Sequence, residues 1–184
     1  MIKDKSRKDF LCHFINKGRT FFSEPFYIAL KPLSSLKTDF QPHELDCVLT
    51  SKETSQLKSY SLDKRKREYF TGRHCAKIVC NDYLQHQYQF KIPVNQISIM
   101  NRIDGRPFVK FANTDIAPPE ISLSHSGNYG CAISSNSLCG IDIQQENNTI
   151  ERVREKYCTI EELKLLRSIR FKNIRTALTE LWSA

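Results

Sequence analysis

A chain of 184 residues with 40% hydrophobic content is long enough to bury a sizeable core, as one domain or two small ones. Its formal net charge of +8 implies attraction to something acidic, whether nucleic acid, anionic lipid, a phosphorylated small molecule or an acidic protein. No run approaches the roughly 20 apolar residues of a membrane span, and Met1-Ile2-Lys3-Asp4-Lys5 leads into no apolar signal core, so a cytoplasmic location is expected.

The first 20 or so residues are polar and charged around Phe10, Leu11, Phe14 and Ile15, and read as a short helix or a loose arm. Phe26 to Leu30 reads as a strand stopped by Pro32, and Pro42-His43-Glu44-Leu45 as the first turn of a helix with Pro42 near N1. From Leu62 to Gln87 apolar residues recur at helical spacing, through Tyr69, Phe70, Ala76, Val79, Cys80, Tyr83 and Leu84, which predicts the longest helix of the chain. On a helical wheel Arg65 and Arg73 fall within the apolar arc, where a guanidinium needs a carboxylate or a phosphate. Gly72 in a helix interior costs about 1 kcal/mol relative to alanine. Close approach of a ligand or of another backbone would account for it. The run Asp63-Lys64-Arg65-Lys66-Arg67-Glu68 is bracketed by acids and reads by default as a solvated helix face.

Beyond Pro93 the pattern changes to short alternating segments at Ile97 to Met100, Phe108 to Phe111, Ile121 to Ser124, Tyr129 to Ser134 and Cys139 to Gln144. Turn residues separate them, notably Asp104-Gly105-Arg106-Pro107 and Ser126-Gly127-Asn128, so mostly antiparallel strands are predicted. Thr159-Ile160-Glu161-Glu162 is a capping box that opens a last helix. The seven cysteines include no Cys-x-x-Cys pair, so neither a disulfide framework nor a zinc site is favoured, and most are expected to be small core hydrophobes.

Three features can carry chemistry. Strand alternation over Gly140-Ile141-Asp142-Ile143-Gln144 sends Asp142 and Gln144 to one face, where two oxygen-bearing side chains suit a hard cation such as Mg²⁺; a bare strand aspartate is the common alternative. His125, flanked by Ser124 and Ser126 at the predicted strand end, can donate to a phosphate or stand as an exposed loop residue. Gly105-Arg106-Pro107 offers a cation on a rigid turn, again a common surface arrangement.

Taken in order, these segments resemble the surfactin-type 4'-phosphopantetheinyl transferases of the holo-acyl-carrier-protein synthase superfamily. The family series is a basic helix with Gly-Arg, a Gly-basic-Pro turn, a Ser-His-Ser segment, a Gly-Ile-Asp-Ile-Glu strand and Trp-x-x-Lys-Glu. The matching residues are Gly72-Arg73, Gly105-Arg106-Pro107, Ser124-His125-Ser126, Gly140 to Gln144 and Trp182. The stretch Lys66 to Lys77 is especially like members serving siderophore and polyketide synthesis. The resemblance implies coenzyme A phosphate binding by Arg65, Arg73 and Arg106, an adenine- and phosphate-contacting pair at Ser124 and His125, and metal binding at Asp142, with Gln144 in the place of a second carboxylate. It further implies an α+β fold of two similar subdomains, each a small antiparallel sheet with a long helix. Here residues 1–138 would form the first subdomain, and 139–184 the opening of the second.

The implied activity is Mg²⁺-dependent transfer of 4'-phosphopantetheine from coenzyme A to a serine of an apo acyl, peptidyl or aryl carrier protein, with no nucleic acid or membrane partner. Gln144 should lower metal affinity. The Lys and Glu of the last motif, which in the family help to activate the nucleophile and complete the metal site, do not follow Ser183-Ala184, so the chain is read as C-terminally truncated with impaired or absent turnover. Apolar surface is then expected at Leu165, Leu166, Ile169, Leu178 and Leu181. One alternative is a non-catalytic binder of coenzyme A or of a carrier protein; a less favoured one is a basic nucleic-acid-binding domain built on 63–68.

Overall fold

Apolar residues at helical spacing make 63–88 one uninterrupted helix, and the strands are arranged against it. In the computed structural model, which describes residues 23–33, 45–146, 148–168 and 178, β1 (Phe26–Pro32) precedes α1 (Ser51–Ser59) and the long α2 (Asp63–Tyr88). Four strands follow: β2 (Ile97–Asn101), β3 (Pro107–Phe111), β4 (Glu120–Ser126) and β5 (Tyr129–Ser135). Two short helices, α3 (Asn148–Val153) and α4 (Ile160–Ser168), come last. The fold is α+β, with small antiparallel sheets and one long helix: β1-β5-β4 form a three-stranded sheet, and β2-β3 a two-stranded one.

One face of α2 serves both sheets. Cys75, Ala76, Val79, Cys80, Tyr83 and Leu84 pack against Ala29, Ile121 and Ala132 of the larger sheet and against Ile97, Ile99, Val109 and Phe111 of the smaller. Each fully buried aliphatic such as Leu84 contributes about 1.5–3 kcal/mol. Polar seams lock the packing: Ser134 Oγ donates to Val79 O at 2.9 Å, and Asn81 exchanges two hydrogen bonds with the Ile92 backbone at 2.8 and 2.9 Å. Helix and sheet come close at two glycines, since a Cβ on Gly130 would stand 3.0 Å from Thr71 Cγ2 and one on Gly72 would stand 3.4 Å from Leu123 Cδ2.

Several boundaries differ from those read in the sequence. Pro32 does not stop β1 but ends it, because β1 is an edge strand where a missing N–H breaks no ladder bond. His125 lies inside β4, paired with Gly130, and the strand continues to Ser126. Residues 139–144 were expected to form a strand. They are extended but join no sheet among the described residues, because their amides meet serine hydroxyls in place of backbone carbonyls. Helix α1 was not foreseen, although Thr50 and Glu53 form a capping box of the same kind as Thr159 and Glu162.

Burial corrects the wheel. Arg65 is exposed and Arg73 half-buried, whereas Lys77 on the same helix is fully buried. Its Nζ donates to Glu53 Oε2 at 2.5 Å and to Val48 O at 2.7 Å, and Glu53 also accepts from Thr50 N and Ile99 N. This pair ties α1, α2 and β2 together. Cys75, Cys80 and Cys131 are buried as expected, Cys139 and Cys158 are half-buried and Cys47 is exposed. Leu178 is buried against Tyr157, Cys158 and Leu163, contrary to the exposure expected of it, because those side chains give it an apolar seat. Phe10 to Ile15, Cys12, Pro42 to Glu44, the side chains of Leu165 and Leu166, Ile169, Leu181 and Trp182 lie outside the described residues.

Candidate functional site

Where the N-terminal half of α2 passes between β4 and the β2–β3 turn, a cleft of about 270 Å³ opens, lined by Arg65, Glu68, Tyr69, Gly72 and Arg73 of α2, Leu123, Ser124 and His125 of β4, and Gly105 and Pro107 of the turn, with Tyr60 and Asn101 at its rim. Four of the side chains singled out from sequence (Arg65, Arg73, Ser124 and His125) therefore share one concavity. Helical spacing aligns Arg65 and Arg73 two turns apart on α2, with Gly72 keeping the floor low enough for β4 to approach.

Arg65 Nη1 lies 3.3 Å from His125 Nε2 and 3.5 Å from Glu68 Oε2. Arginine only donates, so Nε2 is the acceptor and the imidazole proton sits on Nδ1, which faces Glu68 Oε1 at 3.7 Å. Arg73 is held differently. Its guanidinium stacks over the Tyr69 ring, 4.8 Å from the centroid, and reaches Asn101 Oδ1 at 3.5 Å. Its buried Nε has no hydrogen-bond partner, and among the described residues no carboxylate pairs with it. Burial pushes the Tyr69 hydroxyl above its ordinary value, an effect that the Arg73 hydrogen bond and charge partly offset.

Arg106 is not brought into the cleft. The backbone of its neighbours lines the wall, but its side chain is half-exposed and turns to Asp104, Nε to Oδ2 at 3.9 Å. Asp142 does not line the cleft and is joined to it by Ser124, whose Oγ donates to Asp142 Oδ1 at 2.5 Å. Gln144 donates its amide N–H to Gln145 O at 3.3 Å, which leaves its amide oxygen as the donor atom it offers. Among the described residues no group of three or more His, Cys, Asp or Glu side chains is placed to cage a metal. One exposed carboxylate beside one neutral oxygen fits only a hard cation that keeps several waters and takes its remaining ligands from a substrate.

Sequence reasoning missed Glu68, Tyr69, Tyr60 and Asn101. Glu68 was visible only as the closing acid of a basic run; in space it is the counter-charge shared by Lys64 and Arg65 and the carboxylate that faces His125 Nδ1. The same pairings, with Lys66 to Asp63 at 3.8 Å, account for most of the basic run as ordinary helix-face ion pairs. A second, larger groove of about 600 Å³ between α1 and the β2–β3 sheet shares Tyr60, Tyr69, Arg73 and Asn101 with the cleft. No helix among the described residues is long and apolar enough to cross a membrane.

No protein-family model matches the chain, and no curated protein sequence does. Solved structures do. The holo-ACP synthase of Plasmodium yoelii aligns with a TM-score of 0.50 at 15% identity, over 60% of this chain and 91% of that one. The holo-[acyl-carrier-protein] synthase of Neisseria meningitidis aligns with a TM-score of 0.50 at 15% identity, over 60% and 94%. An apo synthase of Chronobacterium ammoiniagenes gives 0.50 at 16%, over 61% and 95%. At such identities the likeness speaks to architecture, and over about 60% of its length the chain has the fold of the holo-(acyl-carrier-protein) synthases.

Proposed function

We propose that the cleft binds the phosphates of coenzyme A, and that the chain is a phosphopantetheinyl transferase of the surfactin-type branch that acts on an apo carrier protein. The observation that carries this is Arg73, a half-buried cation with an orphaned Nε and no carboxylate partner among the described residues, facing the same space as Arg65 and His125. An unpaired, partly desolvated guanidinium calls for an anion, and its planar fork matches a phosphate. The order of motifs along the chain and the synthase-like fold support the choice of coenzyme A among phosphate ligands.

On this reading Arg73 and Arg65 neutralise the pyrophosphate, and His125 donates to a phosphate oxygen through Nε2 once an incoming anion displaces its Arg65 contact and the ring proton moves from Nδ1 to Nε2. Arg106 joins them by releasing Asp104. Asp142 and Gln144 would hold Mg²⁺ from the protein side, and the ion would supply positive charge that offsets the charge of the phosphates. A serine hydroxyl of the carrier protein attacks the β-phosphate, the phosphoanhydride bond breaks, and adenosine 3',5'-bisphosphate leaves. In such chemistry the protein contributes mainly positioning and electrostatic stabilisation. The formal charge of +8 suits an acidic carrier.

Calorimetric titration of coenzyme A tests the binding step, first in EDTA and then with Mg²⁺. Arg73→Ala should weaken binding about tenfold or more in both conditions, the loss of one charge-assisted contact of about 1.5–3 kcal/mol. Equal affinity of wild type and Arg73→Ala would end the proposal. Turnover of labelled coenzyme A onto an apo carrier protein separates a transferase from a non-catalytic binder with the same cleft.

A further inference from the structure

Ser122, Ser124 and Ser126 occupy alternate positions of β4, so their side chains share one face of the strand. Opposite them run Ile141, Ile143 and Gln145, whose backbone N–H groups donate to the three hydroxyls at 3.2, 3.2 and 3.0 Å. Cys139 Sγ, 3.6 Å from Glu120 O, extends the series backward, and each of the four contacts joins residues 19 apart. The 139–145 segment therefore lies alongside β4 in a constant parallel register, with serine oxygens replacing carbonyls as acceptors. Gly127, at φ 58°, makes the turn at the far end of β4, and a Cβ there would also require the end of the Gln145 side chain to move. Of the three hydroxyls, that of Ser124 also donates to Asp142 Oδ1, at 2.5 Å.

A serine hydroxyl has one proton. At Ser124 that proton goes to Asp142 over a distance typical of a charge-assisted bond, and an acceptor site is filled by Ile143 N–H. No proton is left for a phosphate in the cleft. We propose that Ser124 is a positioning residue: as the central rung of this side-chain ladder it fixes the Asp142 carboxylate through Oδ1, turns Oδ2 toward a divalent cation, and is not itself an anion ligand. This rests on the magnesium reading of Asp142 given above. Partners that orient a metal-binding carboxylate are worth about 10–100-fold in metal affinity.

The test has three arms on the whole chain. Amide hydrogen exchange, read by NMR, reports the ladder directly: Ile143 should be protected in wild type, at least about tenfold less so in Ser124→Ala, and protected again in Ser124→Thr, while β5 amides stay protected in all three. Titration with Mn²⁺ alone, read as paramagnetic broadening around Asp142, should give a dissociation constant raised about tenfold in Ser124→Ala and restored by threonine. Coenzyme A binding in EDTA should be unaffected by Ser124→Ala while His125→Ala lowers it. The proposal is overturned by an unprotected Ile143 amide in wild type, by Mn²⁺ broadening that is absent in wild type or unchanged in Ser124→Ala, or by metal-free coenzyme A binding that falls in Ser124→Ala as far as in His125→Ala. Failure of wild type to bind coenzyme A in EDTA defeats the phosphate reading of the cleft instead, and leaves the first two arms to decide the role of Ser124.

Discussion

Replacing Lys77 by methionine isolates the energetics of the charge at the centre of the fold. Methionine keeps most of the aliphatic stem and removes the ammonium, so two bonds are lost, to Glu53 Oε2 and Val48 O, and Glu53 is left at 4% exposure with only Thr50 and Ile99 as donors. Removing one member of a buried ion pair costs about 3–5 kcal/mol, because the partner charge stays desolvated. For a chain of this length that corresponds to a fall of about 6–20 °C in Tm. Thermal and urea unfolding followed by circular dichroism measure it. The double variant Lys77→Met/Glu53→Gln removes both charges, and because glutamine can accept from only one of the two backbone amides that Glu53 serves, it should regain part of the loss. A single variant within about 1 kcal/mol of wild type, or a double variant no better than the single, would refute the view that desolvated charge governs this site.

Burial, with the nearby Lys31 and Lys77 charges, holds the His74 imidazole down to about 4. The unfolded chain, at about 6.5, then binds a proton that the folded chain does not, so the stability contribution is complete above about pH 6.5 and is lost as pH falls toward about 4. The ring is partly exposed, so the loss after solvent screening is about 1–2 kcal/mol. Urea midpoints taken at pH 7 and pH 5 should move less in His74→Gln than in wild type. Gly127→Ala forces a side chain into left-handed backbone and against Gln145, and should cost about 1–2 kcal/mol while raising exchange at the Gln145 amide. Burial pushes the Cys131 thiol up to about 11, so among the described cysteines the exposed Cys47 should react with a disulfide reagent before Cys131, whose labelling should track unfolding.

The parts of the fold legible in sequence are those set by local rules. Helix α2 announces itself because 3.6-residue periodicity is sustained over seven turns, and β2 to β5 because alternation is punctuated by Gly, Pro and Asn turns. Helix α1 was lost because only Glu53 and Leu57 of its nine residues are buried, so no apolar stripe marks it, although the Thr50 capping box does. The wheel failed at Arg65 for a related reason: the first turns of α2 border the open cleft beside His125, so an arc that is core at Val79 is solvent at Arg65.

The candidate site shows the same division. Ser124, His125 and Gly72-Arg73 could be marked in advance because a known motif order names them, but the order says nothing of which neighbours share a charge. Glu68 looked like a bracket on a basic run, and only the crossing of α2 over β4 sets it beside His125, 57 residues on. The ladder was even less accessible: nothing local marks Ser122, Ser124 and Ser126 as acceptors for another segment's amides, and 139–144 reads as a strand seeking a sheet. Their match depends on two segments lying parallel at a fixed offset of 19 residues, a tertiary fact with no local signature. Once that offset is known, the position of Asp142 follows from chain geometry, because a carboxylate between two anchored amides has little freedom to do anything but meet the hydroxyl beside it.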